Sequence, residues 1–212
     1  MSFPQCTQKV HYVFLILFVR PWICFTARTA TSCNQADSMP SRSPLEVLSL
    51  IRKYALGQAF AEVGTRYGDI VSRATSFAKS TFAFEMKPEY CNCLSVRGVD
   101  HFCGNFLEAN RASFNSRKVN PFDSTVYYWW PGDHAVSQLF MEHIMHQSKV
   151  AAVCLLGYDP WNERDMFYLK GHVSAFRLIE KHTTFYFDGE GKRQYGAFIV
   201  IVYNCSASML VA

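Results

Sequence analysis

Glu62-Val63-Gly64-Thr65-Arg66-Tyr67-Gly68 closes the apolar run Ala59 to Val63 with a pattern of the form E-x-G-x-x-x-G. A glycine at a strand's end lets the backbone turn sharply, and a second one lets the following helix pack closely. The exposed amides at that helix start can receive an anion or a polar ligand group. Glu85 ends the next apolar run, Thr81 to Glu85, 23 residues beyond Glu62. Nucleotide-binding α/β folds set an acidic ribose ligand at about that interval, and a carboxylate offers two oxygens to two adjacent hydroxyls. Each feature also has an ordinary explanation, since paired glycines are common in turns and a carboxylate before a turn is normally solvated. The spacing is not G-x-G-x-x-G, which argues against a pyrophosphate cradle.

A second concentration of candidates is Tyr127-Tyr128-Trp129-Trp130-Pro131-Gly132-Asp133-His134. Trp130 or Trp129 can wall a substrate pocket, with Asp133 or His134 as base or orienting group. The competing reading has Asp133 capping the next helix, His134 in its first turn and Trp129 in the core. Asp159 follows another apolar run and either lines the same rim or makes a turn before Pro160. His143 and His146 have no third ligand near them in sequence, which disfavours a metal. The chain has no Ser–His–Asp arrangement, G-x-S-x-G elbow or G-x-x-x-x-G-K-[ST] loop, so hydrolase and ATPase readings rank low.

The elements that must position these residues follow from periodicity. Ser43-Pro44-Leu45-Glu46 is a helix start, with Leu45, Leu48, Ile51 and Ala55 at helical spacing. Strands are expected at 59–63, 81–85, 100–103, 124–130 and 150–156, the last nearly continuous in apolar character, as in a parallel strand covered on both sides. Helices are expected at 69–78, from Pro88 to about 97, at 135–147 with Val136, Leu139, Phe140, His143 and Ile144 near one face, and at 161–170. Thr183 to Phe187, a polar turn and Ala197 to Tyr203 then make an antiparallel hairpin. Such alternation predicts a doubly wound α/β domain over 43–212, with a seven-stranded, mostly parallel sheet ending in a C-terminal antiparallel hairpin.

The closing hairpin, the glycine turn and Glu85 together resemble the class I (Rossmann-like) S-adenosylmethionine-dependent methyltransferase family over roughly residues 44–204. The resemblance implies a sheet with strand 7 between strands 5 and 6, and S-adenosylmethionine as cofactor. Gly64 and Gly68 would then surround its methionine half with Glu62 nearby, and Glu85 would hold the ribose. Asn105, after Gly104, would meet the adenine amine through its carbonyl oxygen, with Phe106 covering the base. At the tip of strand 4, amino-methylating members carry Asp or Asn followed by Pro-Pro and an aromatic. Here Trp129-Trp130-Pro131-Gly132 has the proline and the aromatics without that first residue. The implied activity is methyl transfer to a small-molecule or protein acceptor. The alternative is a methyltransferase-like fold acting as a binding or structural protein.

At 212 residues and 50% apolar, the chain suits one domain. Its +4 formal charge is spread thinly, with no basic block to mark nucleic acid. Residues 1–42 differ in character: Tyr12 to Val19 is apolar, Arg20-Pro21 interrupts it, and no Asp or Glu precedes Asp37. The apolar run is shorter than the ~20 residues of a spanning helix, and reads as a secretory signal or short anchor touching membrane or translocon through residues 9–25. An organelle or cytoplasmic location is the alternative. The eight cysteines show no regular framework: Cys6, Cys24 and Cys33 fall in the leader, and Cys103 and Cys154 read most simply as buried free thiols.

Overall fold

Alternation along β-strands sorts the side chains into two apolar layers. The computed structural model describes Cys33 and residues 45–130, 134–158, 176–187 and 193–205. Strand β1 (Ala59–Val63) pairs in parallel with β2 (Ser80–Glu85) on one side and β4 (Val126–Trp129) on the other. Strand β3 (His101–Cys103) lies outside β2, and β5 (Ala152–Tyr158) outside β4, both parallel. The hairpin β6 (Arg177–Phe187) and β7 (Arg193–Cys205) is antiparallel, with β7 inserted beside β5. The order β3-β2-β1-β4-β5-β7-β6 is the seven-stranded, mostly parallel sheet with a C-terminal antiparallel hairpin that the sequence predicts. Its winding reverses between β1 and β4, and open α/β sheets place their ligand crevice outside the carboxyl ends of strands at such a point.

One face of the sheet is covered by α1 (Leu48–Ala55), α2 (Asp69–Ala74) and α3 (Pro88–Val96), with Ile51, Ile70, Val71 and Leu94 packed against Phe60, Ala83 and Tyr128. The other is covered by α4 (His134–Gln147) and short 3-10 turns, around an aromatic layer that includes Phe82, Phe84, Phe106, Phe122 and Phe140. The inward face of α4 is rotated from the predicted one: Phe140, Met141, Ile144 and Met145 are buried, whereas Leu139 is exposed. Helix α2 stops at Ala74, four residues short of the expected end. The Thr75 hydroxyl donates to Ser72 O at 2.6 Å and the Ser76 hydroxyl to Arg73 O at 2.9 Å, competing with the helix ladder. The helix expected over 161–170 lies outside the described residues.

Two expectations are corrected. Cys103 and Cys154 are not free thiols: among the described residues disulfides join Cys33 to Cys93, Cys91 to Cys103 and Cys154 to Cys205. Cys91 and Cys93 lie two apart on α3, so their side chains point to nearly opposite sides of the helix. One reaches β3, and the other reaches the segment carrying Cys33, whose carbonyl accepts the Arg97 Nε–H at 2.7 Å. The secretory or membrane-associated location expected from the sequence is also overturned. Among the described residues no helix is long and apolar enough to cross a membrane, and residues 9–25 lie outside them.

Candidate functional site

The carboxyl ends of β1, β2 and β4 meet at the reversal point, and the site is built there. Gly64 leaves β1 with φ 69°, and its amide still reaches Phe84 O across the sheet at 2.8 Å. A Cβ at Gly64 would lie 3.4 Å from Trp129 Nε1, so the indole at the tip of β4 overhangs this turn. Gly68 has φ 79°, and its role is packing: a Cβ there would come within 2.5 Å of Leu94 Cδ2. The glycine thus brings the start of α2 against α3.

Glu62 lies beneath this loop. It is buried, and its Oε2 accepts the Val71 amide at 2.9 Å, bolting α2 to β1. Burial pushes its carboxyl well above the usual range, and the charges of Asp69 and Glu85 push the same way, while the Val71 amide works against them. It therefore serves the scaffold of the loop, through a bond to backbone.

Glu85 ends β2 with its carboxylate at the rim. Oε2 accepts the Arg66 amide at 2.8 Å, and Oε1 accepts the amides of Met86 at 2.8 Å and Lys87 at 2.9 Å. Three of roughly four lone-pair sites are so filled, which fixes the group's orientation and leaves acceptor capacity for an incoming hydroxyl. Directly after it, Met86 is 64% exposed, an apolar surface at the mouth of a polar turn. Between the two loop glycines stands Arg66, at φ 53°. For a residue with a side chain that backbone costs about 1–2 kcal/mol. Its guanidinium is held over the Tyr90 ring, 5.4 Å from the centroid, with Nη2 donating to Tyr90 Oη at 3.2 Å.

The remaining predicted residues are spread more widely. Asn105 is exposed and caps a 3-10 turn, Oδ1 accepting from the Leu107 amide at 3.1 Å and Nδ2 donating to Glu108 Oε1 at 3.1 Å. The Phe106 ring is buried in the core, 4.8 Å from Phe84 and 5.0 Å from His143 between centroids, and is not a free face for a base. His143 shares that layer; its Nε2 lies 2.8 Å from Ala109 O, and burial holds its pKa below the ordinary value. Trp129 and Trp130 point to opposite faces of the sheet. Trp129 packs on Phe140 at 4.7 Å beside the glycine turn, whereas Trp130 lies over Gly157, where a Cβ would be 3.3 Å from its ring. Of the two, Trp129 is at the rim the glycine loop defines. Asp133 and Asp159 lie outside the described residues, as does the side chain of His134, the first residue of α4. Met86, Tyr90 and the left-handed backbone of Arg66 were missed by sequence reasoning. Only Met86 had a signal, as an apolar residue directly behind a strand-end carboxylate.

The strand order, the glycine turn after β1 and the acidic tip of β2 define the class I methyltransferase fold. Solved structures agree in fold at low identity. An N-methyltransferase, NodS, from Bradyrhizobium japonicum matches with a TM-score of 0.55 and 10% identity, over 80% of this chain and 98% of that one. Precorrin-6y C5,15-methyltransferase from Geobacter metallireducens matches with a TM-score of 0.54 and 11% identity, over 80% and 93%. A TehB-like SAM-dependent methyltransferase from Corynebacterium glutamicum matches with a TM-score of 0.51 and 14% identity, over 74% and 85%. No family model matches the sequence, and no curated protein matches it.

Proposed function

We propose that the protein is an S-adenosylmethionine-dependent methyltransferase whose cofactor lies across the tips of β1, β2 and β4. The observation that carries this reading is Glu85: a buried carboxylate at the strand tip, aimed by three backbone amides and retaining acceptor capacity. The residues around it fit the group. Gly64 is exposed and has no side chain to occupy the turn, Glu85 would accept from a ribose hydroxyl, and Met86 would give an apolar face to the base. Asn105 retains acceptor capacity on Oδ1 beyond its capping bond, enough for an exocyclic amine.

When bound, the cofactor would supply an electrophilic sulfonium methyl group for an acceptor lone pair. The chain's contribution is placement, which alone can supply much of the acceleration when reacting atoms are held in line. Trp129 walls the rim next to Gly64 and limits the approach of an acceptor. Asp133 and His134 are the proposed groups to orient the acceptor or take its proton. Trp130 is proposed to act only by supporting this edge from the opposite face. The acceptor is a small molecule or a protein.

Calorimetric titration with S-adenosylhomocysteine tests the reading. Saturable binding is expected, weakened about tenfold or more by Glu85→Gln, since hydrogen bonds to charged groups contribute roughly 1.5–3 kcal/mol. Absence of saturable binding by the wild-type protein would refute it. Binding without methyl transfer to any acceptor supports the alternative of a methyltransferase-like binding protein. That alternative is favoured by the lack of an Asn or Asp carbonyl in Trp129-Trp130-Pro131-Gly132.

A further inference from the structure

We propose that Arg66 is a positioning residue for Glu85, acting through its own backbone amide. The inference rests on the reading of this cleft as an adenosyl site and names a device within it. In the turn from Gly64 to Gly68, three residues have left-handed backbone: Gly64 at φ 69°, Arg66 at φ 53° and Gly68 at φ 79°. Glycine holds such a backbone without strain; at the central position an arginine stands instead. A non-glycine residue persists there only when its surroundings over-determine it, and such residues concentrate at functional sites.

The surroundings of Arg66 do this from two sides. Its amide donates to Glu85 Oε2 at 2.8 Å. Its side chain runs to α3, where Nε and Nη2 lie 3.4 and 3.2 Å from Tyr90 Oη. The guanidinium is 5.4 Å from the Tyr90 centroid and 5.9 Å from that of Tyr67, and those two rings meet edge to face at 5.0 Å. Tyr90 lies in the first turn of α3, five residues beyond Glu85. The side chain therefore spans from the glycine loop to the helix that follows Glu85, closing a ring around Glu85, Met86 and Lys87. A glycine at position 66 could adopt the same φ but could not be anchored to α3. The latch fixes the amide that aims Oε2, and so holds the carboxylate's remaining acceptor site ready for the ribose 2′-hydroxyl.

The test measures binding of S-adenosylhomocysteine and of its 2′-deoxy analogue to the wild type, Arg66→Gly, Tyr90→Phe, Glu85→Gln and the Arg66→Gly/Glu85→Gln pair, with thermal unfolding confirming that each variant folds. Arg66→Gly is expected to weaken the diol ligand about tenfold and the deoxy ligand little, with Tyr90→Phe in the same direction and smaller. In the Glu85→Gln background Arg66→Gly should add no further loss. A merely structural role would weaken both ligands alike, and that result overturns the proposal, as does unchanged or tighter binding of the diol ligand by Arg66→Gly. A wild type that binds neither ligand overturns the adenosyl reading and this proposal together, which is distinguishable from failure of the latch alone.

Discussion

Replacing Gly68 by alanine tests whether the α2–α3 contact supports the glycine loop. The new Cβ would meet Leu94 Cδ2 at 2.5 Å and Val71 Cγ1 at 3.4 Å, and Leu94 is fully buried. Two costs add. A side chain at φ 79° is strained by about 1–2 kcal/mol, and overpacking a filled core costs roughly 1–3 kcal/mol. The sum is about 2–5 kcal/mol, or a fall in Tm of roughly 5–20 °C for a domain of this size. Gly57→Ala is the control: its φ is 69°, yet nothing lies within 4 Å of the added Cβ. Only the backbone term remains there, about 1–2 kcal/mol. Thermal and urea unfolding of both variants isolates the packing term as their difference. Leu94→Ala should offset part of the Gly68→Ala cost, because contacting residues couple. If Gly68→Ala and Gly57→Ala destabilise equally, the close approach of α2 and α3 is not what requires glycine at position 68.

Two further outcomes follow from the same layer. The folded-state pKa of Glu62 is raised, chiefly by burial, from its ordinary 4.5. Its contribution to stability is thus fully present below that value and is lost as pH rises through the folded pKa. Glu62→Gln keeps an acceptor for the Val71 amide without ionising, so urea unfolding across a pH series should show a flatter profile and a gain at neutral pH; an unchanged slope would contradict this. Opening the Cys91–Cys103 bridge with paired serines releases a loop of sequence separation 12, at a cost of about 3 kcal/mol. A dithiol reductant should lower the Tm of the wild type and of this variant, the variant less, because only the bridges from Cys33 to Cys93 and from Cys154 to Cys205 remain there to be opened.

The sheet was legible in the sequence because its strands are apolar runs with clean ends. Gly64 directly follows β1, and the polar sequence 188–192 falls between two long strands. Alternation also fixes which of Trp129 and Trp130 meets the glycine turn once Tyr127 and Trp129 are known to share the α4 face. The sequence alone does not say which face that is. The cysteine pairing was hidden for a related reason. Cys91, Cys93 and Cys103 lie near one another in sequence, but their partners depend on which side of α3 each faces and on a segment, at Cys33, that composition assigned to a leader.

Arg66 shows where residue type misleads. Its bulk beside two glycines reads as an obstruction to a ligand, and that would hold if its side chain followed the cleft. A left-handed backbone sends it instead to Tyr90, while the amide stays on Glu85. One residue then supplies both the turn and a brace, where an unsubstituted turn supplies only the first. On the proposed reading Glu85 gains from such a brace, because a carboxylate with free rotation must lose that freedom when it accepts a ribose hydroxyl, whereas one already held by three amides has lost it on folding. The strain of a non-glycine residue at the apex is therefore borne by the folded state before any ligand arrives.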